Sequence, residues 1–123
     1  MKDTGTNYAF QELSEWHRGM LCQLLDAPFP GQAELKTQIL ASRFRVIDKN
    51  QSLEIFPTSA VAAPVVKTIP VEASARDADG VPIQSLLFTR HGLAYMLEIL
   101  RADGEQVKRL PSAPAFNVSV LGV

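Results

Sequence analysis

The sequence is poor in cysteine and carries almost no net charge. Only one cysteine, Cys22, occurs among 123 residues, so an internal disulfide and a zinc site built from several thiolates are both excluded. Twelve basic residues oppose thirteen acidic ones, which gives a formal charge of −1. The chain therefore has neither the basic character of a nucleic-acid-binding protein nor a polybasic segment for anionic membranes.

Long apolar runs are missing as well. No segment reaches the roughly 18 apolar residues that a membrane span requires, and the first ten residues, MKDTGTNYAF, lack the apolar core and cleavage site of a signal peptide. We therefore expect a cytoplasmic protein without a membrane partner. A chain of 123 residues with 46% apolar side chains is predicted to form a single domain over residues 1–123.

The first third of the chain has apolar residues at helical spacing. In LSEWHRGMLCQLLDA these residues follow Ser14, which is a suitable N-cap. The next segment, PFPGQAELKTQILAS, opens on two prolines that break the first helix and then repeats the helical spacing over a shorter length. We predict two helices within about residues 14–41.

From Arg43 onwards the apolar residues alternate with polar ones. The alternating segments are separated by DKNQ, DADG, HG and ADG, which are typical turn sequences. This pattern predicts an antiparallel meander of about five strands over residues 43–121, with EQVKRL and FNVSVL as late edge strands. The two helices are expected to pack on one face of this sheet, which makes the fold class α+β.

Short turns between antiparallel strands determine which residues pair. The HG turn is predicted to pair Arg90 with Leu93 and therefore Leu86 with Leu97, and the DADG turn is predicted to pair Val71 with Leu86. The side chains that these pairings place on the core face, against the helices, are Ile69, Val71, Ala73, Leu86, Phe88, Leu93, Tyr95, Leu97 and Ile99.

The opposite face is predicted to carry the row Glu72, Ser85 and Glu98, with Arg109 next to Glu98. We interpret Glu98 as one member of a cross-strand charge pair on a sheet face. The alternative is that Glu72 and Glu98 form an acid and base pair of a small-molecule-binding or hydrolytic domain. Several apolar residues, among them Met96, share this face, so we expect the C-terminal strand, a second copy or a partner protein to cover part of it.

Motifs for catalysis and for metal or cofactor binding are not found. DADG and RADG lack the further oxygen ligands of a calcium loop, and the two histidines, His17 and His91, are far apart in the sequence. No phosphate-binding glycine loop or nucleophile elbow occurs. We therefore expect no enzyme activity, no catalytic residues, no cofactor and no metal.

Four segments together resemble a small family of uncharacterised bacterial single-domain proteins, some of whose relatives are immunity proteins of contact-dependent growth inhibition. These segments are LSEWHRGMLCQLL, FPGQAELKTQI, PVEASARDADGVPIQSLLF and LEILRADGEQVKRLP, and they cover about residues 13–111. The resemblance implies a non-catalytic protein that binds and neutralises a cognate toxin. It supplies no catalytic residues.

Strand direction predicts where such a partner binds. The turns DKNQ, DADG and ADGE are expected at one end of the sheet, and PTSAVAAP, HG and LPSAP at the other. A nuclease toxin has a basic groove for its nucleic acid, and an acidic rim on the immunity protein complements it. The acidic residues of the first end are Asp48, Asp77, Asp79, Asp103 and Glu105.

Two other interpretations of these features stay open. Asp and Gly are common turn formers, so the rim has a purely structural explanation. A homodimeric structural or adaptor module that buries the second sheet face around Met96 and Glu98 is the alternative function. The sequence does not identify the toxin, the binding surface or the oligomeric state.

Overall fold

The computed structural model describes residues 12–58 and 61–121 of the chain. Two helices come first, and six strands follow. The elements in chain order are α1 Glu15–Leu25, α2 Gln32–Leu40, β1 Ser42–Val46, β2 Leu53–Pro57, β3 Val71–Arg76, β4 Pro82–Arg90, β5 Leu93–Arg101, a 3₁₀ turn Ala113–Ala115 and β6 Asn117–Val120. None of the described helices is long and apolar enough to cross a membrane.

The six strands form one antiparallel sheet in the order β1-β2-β5-β4-β3-β6. Both helices contact the same face of this sheet, with α1 against β3 and α2 against β2 and β5. The predicted α+β class and the placement of the helices are confirmed, with six strands in place of about five. We call the sheet face opposite the helices the open face.

Ser14 is the N-cap of helix α1, as predicted. The Ser14 hydroxyl oxygen accepts a hydrogen bond from His17 N–H at 3.1 Å, which satisfies one of the unpaired donors of the first turn. The buried His17 ring donates from Nε2 to the Gln51 carbonyl at 2.8 Å and accepts at Nδ1 from the Ser14 hydroxyl at 2.7 Å. Burial lowers the pKa of His17, so the neutral ring joins α1 to the β1–β2 turn.

The loop of the β3–β4 turn contains the three residues 78–80, because Asp77 N–H donates to the Val81 carbonyl at 2.8 Å and closes it. A loop of two or four residues was expected from the sequence DADG. Gly80 N–H donates to the Asp77 carbonyl at 2.9 Å, and Gly80 has a φ of +87°. This is a hairpin loop that ends on a glycine in the left-handed conformation. Val71 consequently pairs with Leu87, and its predicted pairing with Leu86 is wrong. A shift of one residue moves every β4 side chain to the opposite face.

The β4–β5 hairpin contains a bulge that the turn did not reveal. Arg90 pairs with Leu93 as predicted, but Phe88 pairs with Met96, and its predicted pairing with Tyr95 is wrong. The extra residue is Tyr95 of β5. It has no partner in β4, because Phe88 pairs with Met96 and the next residue, Thr89, pairs with Ala94. A bulge of this kind changes which face the side chains occupy on either side of it.

Gln38 of α2 holds the bulged part of β5. Its side-chain carbonyl accepts a hydrogen bond from Ala94 N–H at 2.9 Å, and its amide donates to the carbonyls of Gly92 and Val61 at 2.8 Å each. Gln38 is 1% exposed. A buried amide therefore makes the hydrogen bonds that the interrupted ladder cannot make.

These shifts exchange part of the predicted core. Ile83, Ser85 and Leu87 of β4 face the helices and are fully buried. The predicted core residues that are only partly buried are Ile69, Leu86, Phe88, Leu93 and Tyr95. Those confirmed in the core are Val71, Ala73, Leu97 and Ile99. On α1, Met20 and Leu24 are buried, and Leu13 and Trp16 pack against the core as expected.

The segment EQVKRL is not a strand, and this changes the end of the chain. After β5 the chain crosses one end of the sheet, where Asn50 Oδ1 accepts a hydrogen bond from Val107 N–H at 2.9 Å. Strand β6 then begins where Asn117 pairs with Ser74 and runs beside β3. LPSAP therefore precedes β6 at the same end as DADG, and its predicted place at the opposite end is wrong.

The neighbouring leucines Leu86 and Leu87 test the corrected register. Leu87→Ala is expected to lower the free energy of unfolding by about 2–5 kcal/mol, because it leaves a cavity in the core. Leu86→Ala, on the open face, is expected to cost about 1 kcal/mol. Urea denaturation of both variants at low protein concentration measures the difference. A larger loss for Leu86→Ala would contradict this register.

Candidate functional site

The open face is a sheet surface with an apolar centre, and no helix or strand of the described residues lies over it. All of its central side chains are partly exposed. Pairing and burial place on this face Arg45, Glu54, Phe56, Glu72, Gln84, Leu86, Phe88, Tyr95, Met96, Glu98 and Leu100. Met96 and Glu98, which the sequence predicted for a partner-binding face, both lie here.

Glu72, Leu86 and Glu98 form one row across β3, β4 and β5. Glu72 and Glu98 share the open face as predicted, but the residue between them is Leu86 in place of Ser85. Ser85 is fully buried against the helices, and its hydroxyl has no hydrogen-bond partner in the structure. The three-residue turn causes this exchange, because it reverses the face of β4.

The predicted pairing of Glu98 with Arg109 is wrong. Strand β5 has β2 and β4 as its neighbours, so no strand carrying Arg109 lies beside it. Arg109 follows β5 at the end of the sheet, where its N–H donates to Asp77 Oδ1 at 2.9 Å. No ion pair within residues 12–58 and 61–121 involves Glu72 or Glu98.

Aromatic and cationic side chains border the apolar centre. The rings of Phe88 and Tyr95 lie 6.0 Å apart between centroids, and the Arg90 guanidinium lies 4.3 Å from the centroid of Tyr95. At the β1 side, Arg45 Nε donates to Glu54 Oε1 at 2.6 Å. Aromatic residues and arginines are the residue types enriched where proteins bind one another.

The five acidic residues predicted for a rim lie at one end of the sheet, which we call the turn end and define as residues 47–52, 76–81 and 101–110. Arg101 lies at its centre. Its guanidinium contacts Asp77 Oδ2 at 2.9 Å, Asp79 Oδ1 at 2.8 Å and Asp103 Oδ2 at 2.9 Å. The structure therefore brings three of the five predicted rim carboxylates together around one buried cation.

Asp77 serves the fold in this cluster. Its side chain is 0% exposed, and besides Arg101 its carboxylate accepts the backbone N–H groups of Lys108 and Arg109 at 2.7 and 2.9 Å. Burial raises the pKa of Asp77, but the hydrogen bonds that it accepts, above all that from Lys108, together lower it well below its usual range. Asp77 is not available to a partner.

Asp79 and Asp103 keep part of their carboxylates exposed. Their side chains are 35% and 40% exposed. The hydrogen bonds from Arg101 lower the pKa of Asp79 and bring that of Asp103 to about 2. Both carboxylates therefore stay ionised and held in place over the usual pH range.

The turn end as a whole is mixed in charge. Asp48 and Glu105 are exposed there, and Asp48 Oδ1 accepts backbone N–H groups within its own turn. Because EQVKRL remains at this end, Lys108 and Arg109 join it, along with Lys49, Arg76 and Arg101. The acidic rim that the sequence predicted is thus balanced by as many basic residues.

Sequence reasoning missed the central role of Arg101. Arg101 was not among the predicted site residues, whereas its side chain is 6% exposed and joins the β3–β4 turn to the turn after β5. Its place in the same alternation as Leu97 and Ile99, two residues predicted for the core, was the available signal. No group of three or more His, Cys, Asp or Glu in the described part of the chain is arranged to hold a metal ion.

The cluster predicts a loss of stability in acid. Carboxyls with lowered pKa values bind protons less readily when folded than when unfolded, so their stabilisation is complete above about pH 4 and is lost as the pH falls towards 2. The urea midpoint of the wild-type chain should therefore fall over that window. Asp103→Asn should show a shallower fall, because one of the carboxyls with a lowered pKa is absent.

Glu105→Gln is the matched control in the same turn, since no ion pair to a described residue involves Glu105. It should retain the pH dependence of the wild-type chain. Identical curves for the wild type and Asp103→Asn would contradict the contribution of the cluster.

No family model, curated protein or solved structure matches the chain. A functional proposal for this chain therefore rests on the geometry of the open face and the turn end.

Proposed function

We propose that this chain is a non-catalytic interaction protein and that it binds another protein through its open face. One observation carries the proposal: β4 turns two large apolar side chains outwards as well as two inwards. Leu86 and Phe88 lie on the open face and are only partly buried, whereas Ile83 and Leu87 fill the core beside the buried polar residues Ser85 and Thr89. A fold that needed only its own core would not require large apolar groups on its open face.

The composition of the open face also favours protein binding. Its apolar centre contains Leu86, Phe88 and Met96, and its border contains the charged residues Arg90 and Glu98. An apolar centre within a charged border is the usual organisation of a protein interface. Binding at such a surface gains most from desolvating the central side chains.

An immunity protein that neutralises a cognate toxin is the biological role that we propose within this class. The resemblance of residues 13–111 to a family of uncharacterised bacterial proteins, some of whose relatives are immunity proteins, is the reason for proposing this role. The toxin-binding surface that we propose is the turn end, where Arg101 holds Asp79 and Asp103 in fixed positions with part of each carboxylate exposed. Pre-ordered carboxylates lose little conformational freedom when a partner binds.

Binding of the purified chain to the product of an adjacent toxin gene tests both surfaces. Leu86→Asp alters the open face. Asp79→Asn/Asp103→Asn/Glu105→Gln alters the turn end and leaves the buried Asp77 intact. If the turn end binds a toxin with a basic groove, the triple variant should associate several-fold more slowly at low salt. Surface plasmon resonance gives the rates, and circular dichroism verifies that each variant is folded.

The outcomes separate the two surfaces. Unchanged toxin binding by the triple variant would overturn the turn end as the toxin site. The open face loses its proposed role if Leu86→Asp changes neither toxin binding nor self-association of the chain.

A further inference from the structure

We infer that the occupant of the open face is a second copy of this chain. The two-fold axis that relates the copies lies between the two facing sheets, perpendicular to the strands, at the level of Phe88 and Met96. The inference rests on the proposed function, because it names the partner of the same surface. Two antiparallel sheets can pack face to face with their strands nearly aligned. The charge pattern of the open face points to this particular axis.

Of the charged residues of the face, Glu72 and Glu98 lie on one side of the Phe88–Met96 pair and Arg90 on the other. Glu54 lies beside Met96 in the row of the axis and forms an ion pair with Arg45. Glu72 and Glu98 flank Leu86 in one row, and Arg90 lies on the other side of Phe88 along β4. Phe88 is midway between Leu86 and Arg90, about 7 Å from each along the strand. No ion pair within the described ranges involves Glu72, Glu98 or Arg90.

A two-fold rotation about this axis brings Arg90 of each copy close to Glu72 and Glu98 of the other copy. It exchanges the two directions along β4, so Arg90 of one copy comes opposite Leu86 of the other. Glu72 and Glu98 of that second copy then lie on either side of the guanidinium, each about 5 Å away across the sheet. Because the contact is isologous, the same group of charges forms twice.

The centre of the face suits such a contact. Phe88 and Met96 lie at the axis and meet their counterparts, and methionine sulfur packs favourably on aromatic rings. Six strands make the face about 24 Å wide, and β4 and β5 are about 30 Å long. Because the other four strands are only 4 to 6 residues long, the face is smaller than the roughly 800 Å² per partner that stable specific interfaces bury, which fits a reversible dimer.

The mass in solution is the first measurement. Sedimentation equilibrium of the wild-type chain from micromolar to millimolar concentration should show reversible association to twice the chain mass of 13.5 kDa. Leu86→Asp should remain a monomer at concentrations where the wild type is dimeric. A wild-type chain that is monomeric over the whole series would overturn the inference.

Paired charge reversals test the axis itself. Arg90→Glu alone places three carboxylates together at each charge group, and Glu72→Lys/Glu98→Lys alone places three cations together. Each variant should therefore self-associate at least tenfold more weakly than the wild type. Mixed in equal amounts, the two should form a heterodimer, because every contact again joins opposite charges.

Controls use charges of the turn end. Arg109→Glu and Glu105→Lys reverse exposed charges away from the open face and should dimerise like the wild type, with thermal melts to verify folding. If the reversed pair does not form a heterodimer, the axis is wrong. A monomeric wild type together with loss of toxin binding by Leu86→Asp would reject the second copy while keeping the open face as a protein-binding surface.

Discussion

The contact between Arg101 and Asp77 determines how the end of the chain is arranged. Arg101 comes from the last position of β5, and Asp77 from the turn that leaves β3. Once paired, the Asp77 carboxylate also accepts the backbone N–H groups of Lys108 and Arg109. A buried carboxylate with one cation and several N–H donors is satisfied, whereas Asp77 without Arg101 would be a buried charge with no opposite charge beside it.

This contact also determines which edge of the sheet the last described strand joins. Because Asp77 holds residues 108 and 109 at the turn end, the chain does not return along β5 as the sequence had predicted. It passes instead on the helix side, where Trp16 donates a hydrogen bond to the Pro111 carbonyl at 2.8 Å, and β6 joins the β3 edge. The last strand therefore extends the sheet without adding a layer over Leu86 and Phe88.

The elements of the fold could be predicted from the sequence far better than their register. Helix spacing, the Ser14 cap and the alternation from residue 43 onwards are local signals, and they indicated the correct kind of element everywhere except at EQVKRL. The loop length at DADG and the bulge in β5 are different, because both depend on distant groups. Gln38 of α2 supplies the hydrogen bonds that make the bulge tolerable, and no pattern within β5 indicates this. Of the candidate site, Met96 and Glu98 were placed correctly and Ser85 was not.

The two faces of β4 are similar in hydrophobicity, and this relates the register of the strand to the proposed function. A strand with one apolar face has a single favourable register, since a shift of one residue would expose its core side chains. In β4 the inward side chains include Ser85 and Thr89 and the outward ones Leu86 and Phe88, so hydrophobicity alone does not select the native face. The glycine of the β3–β4 turn and the polar contacts of Arg101 select it instead. Since those contacts determine the register whatever β4 turns outwards, the fold itself does not require an apolar open face, and this is why we propose that a protein binds there.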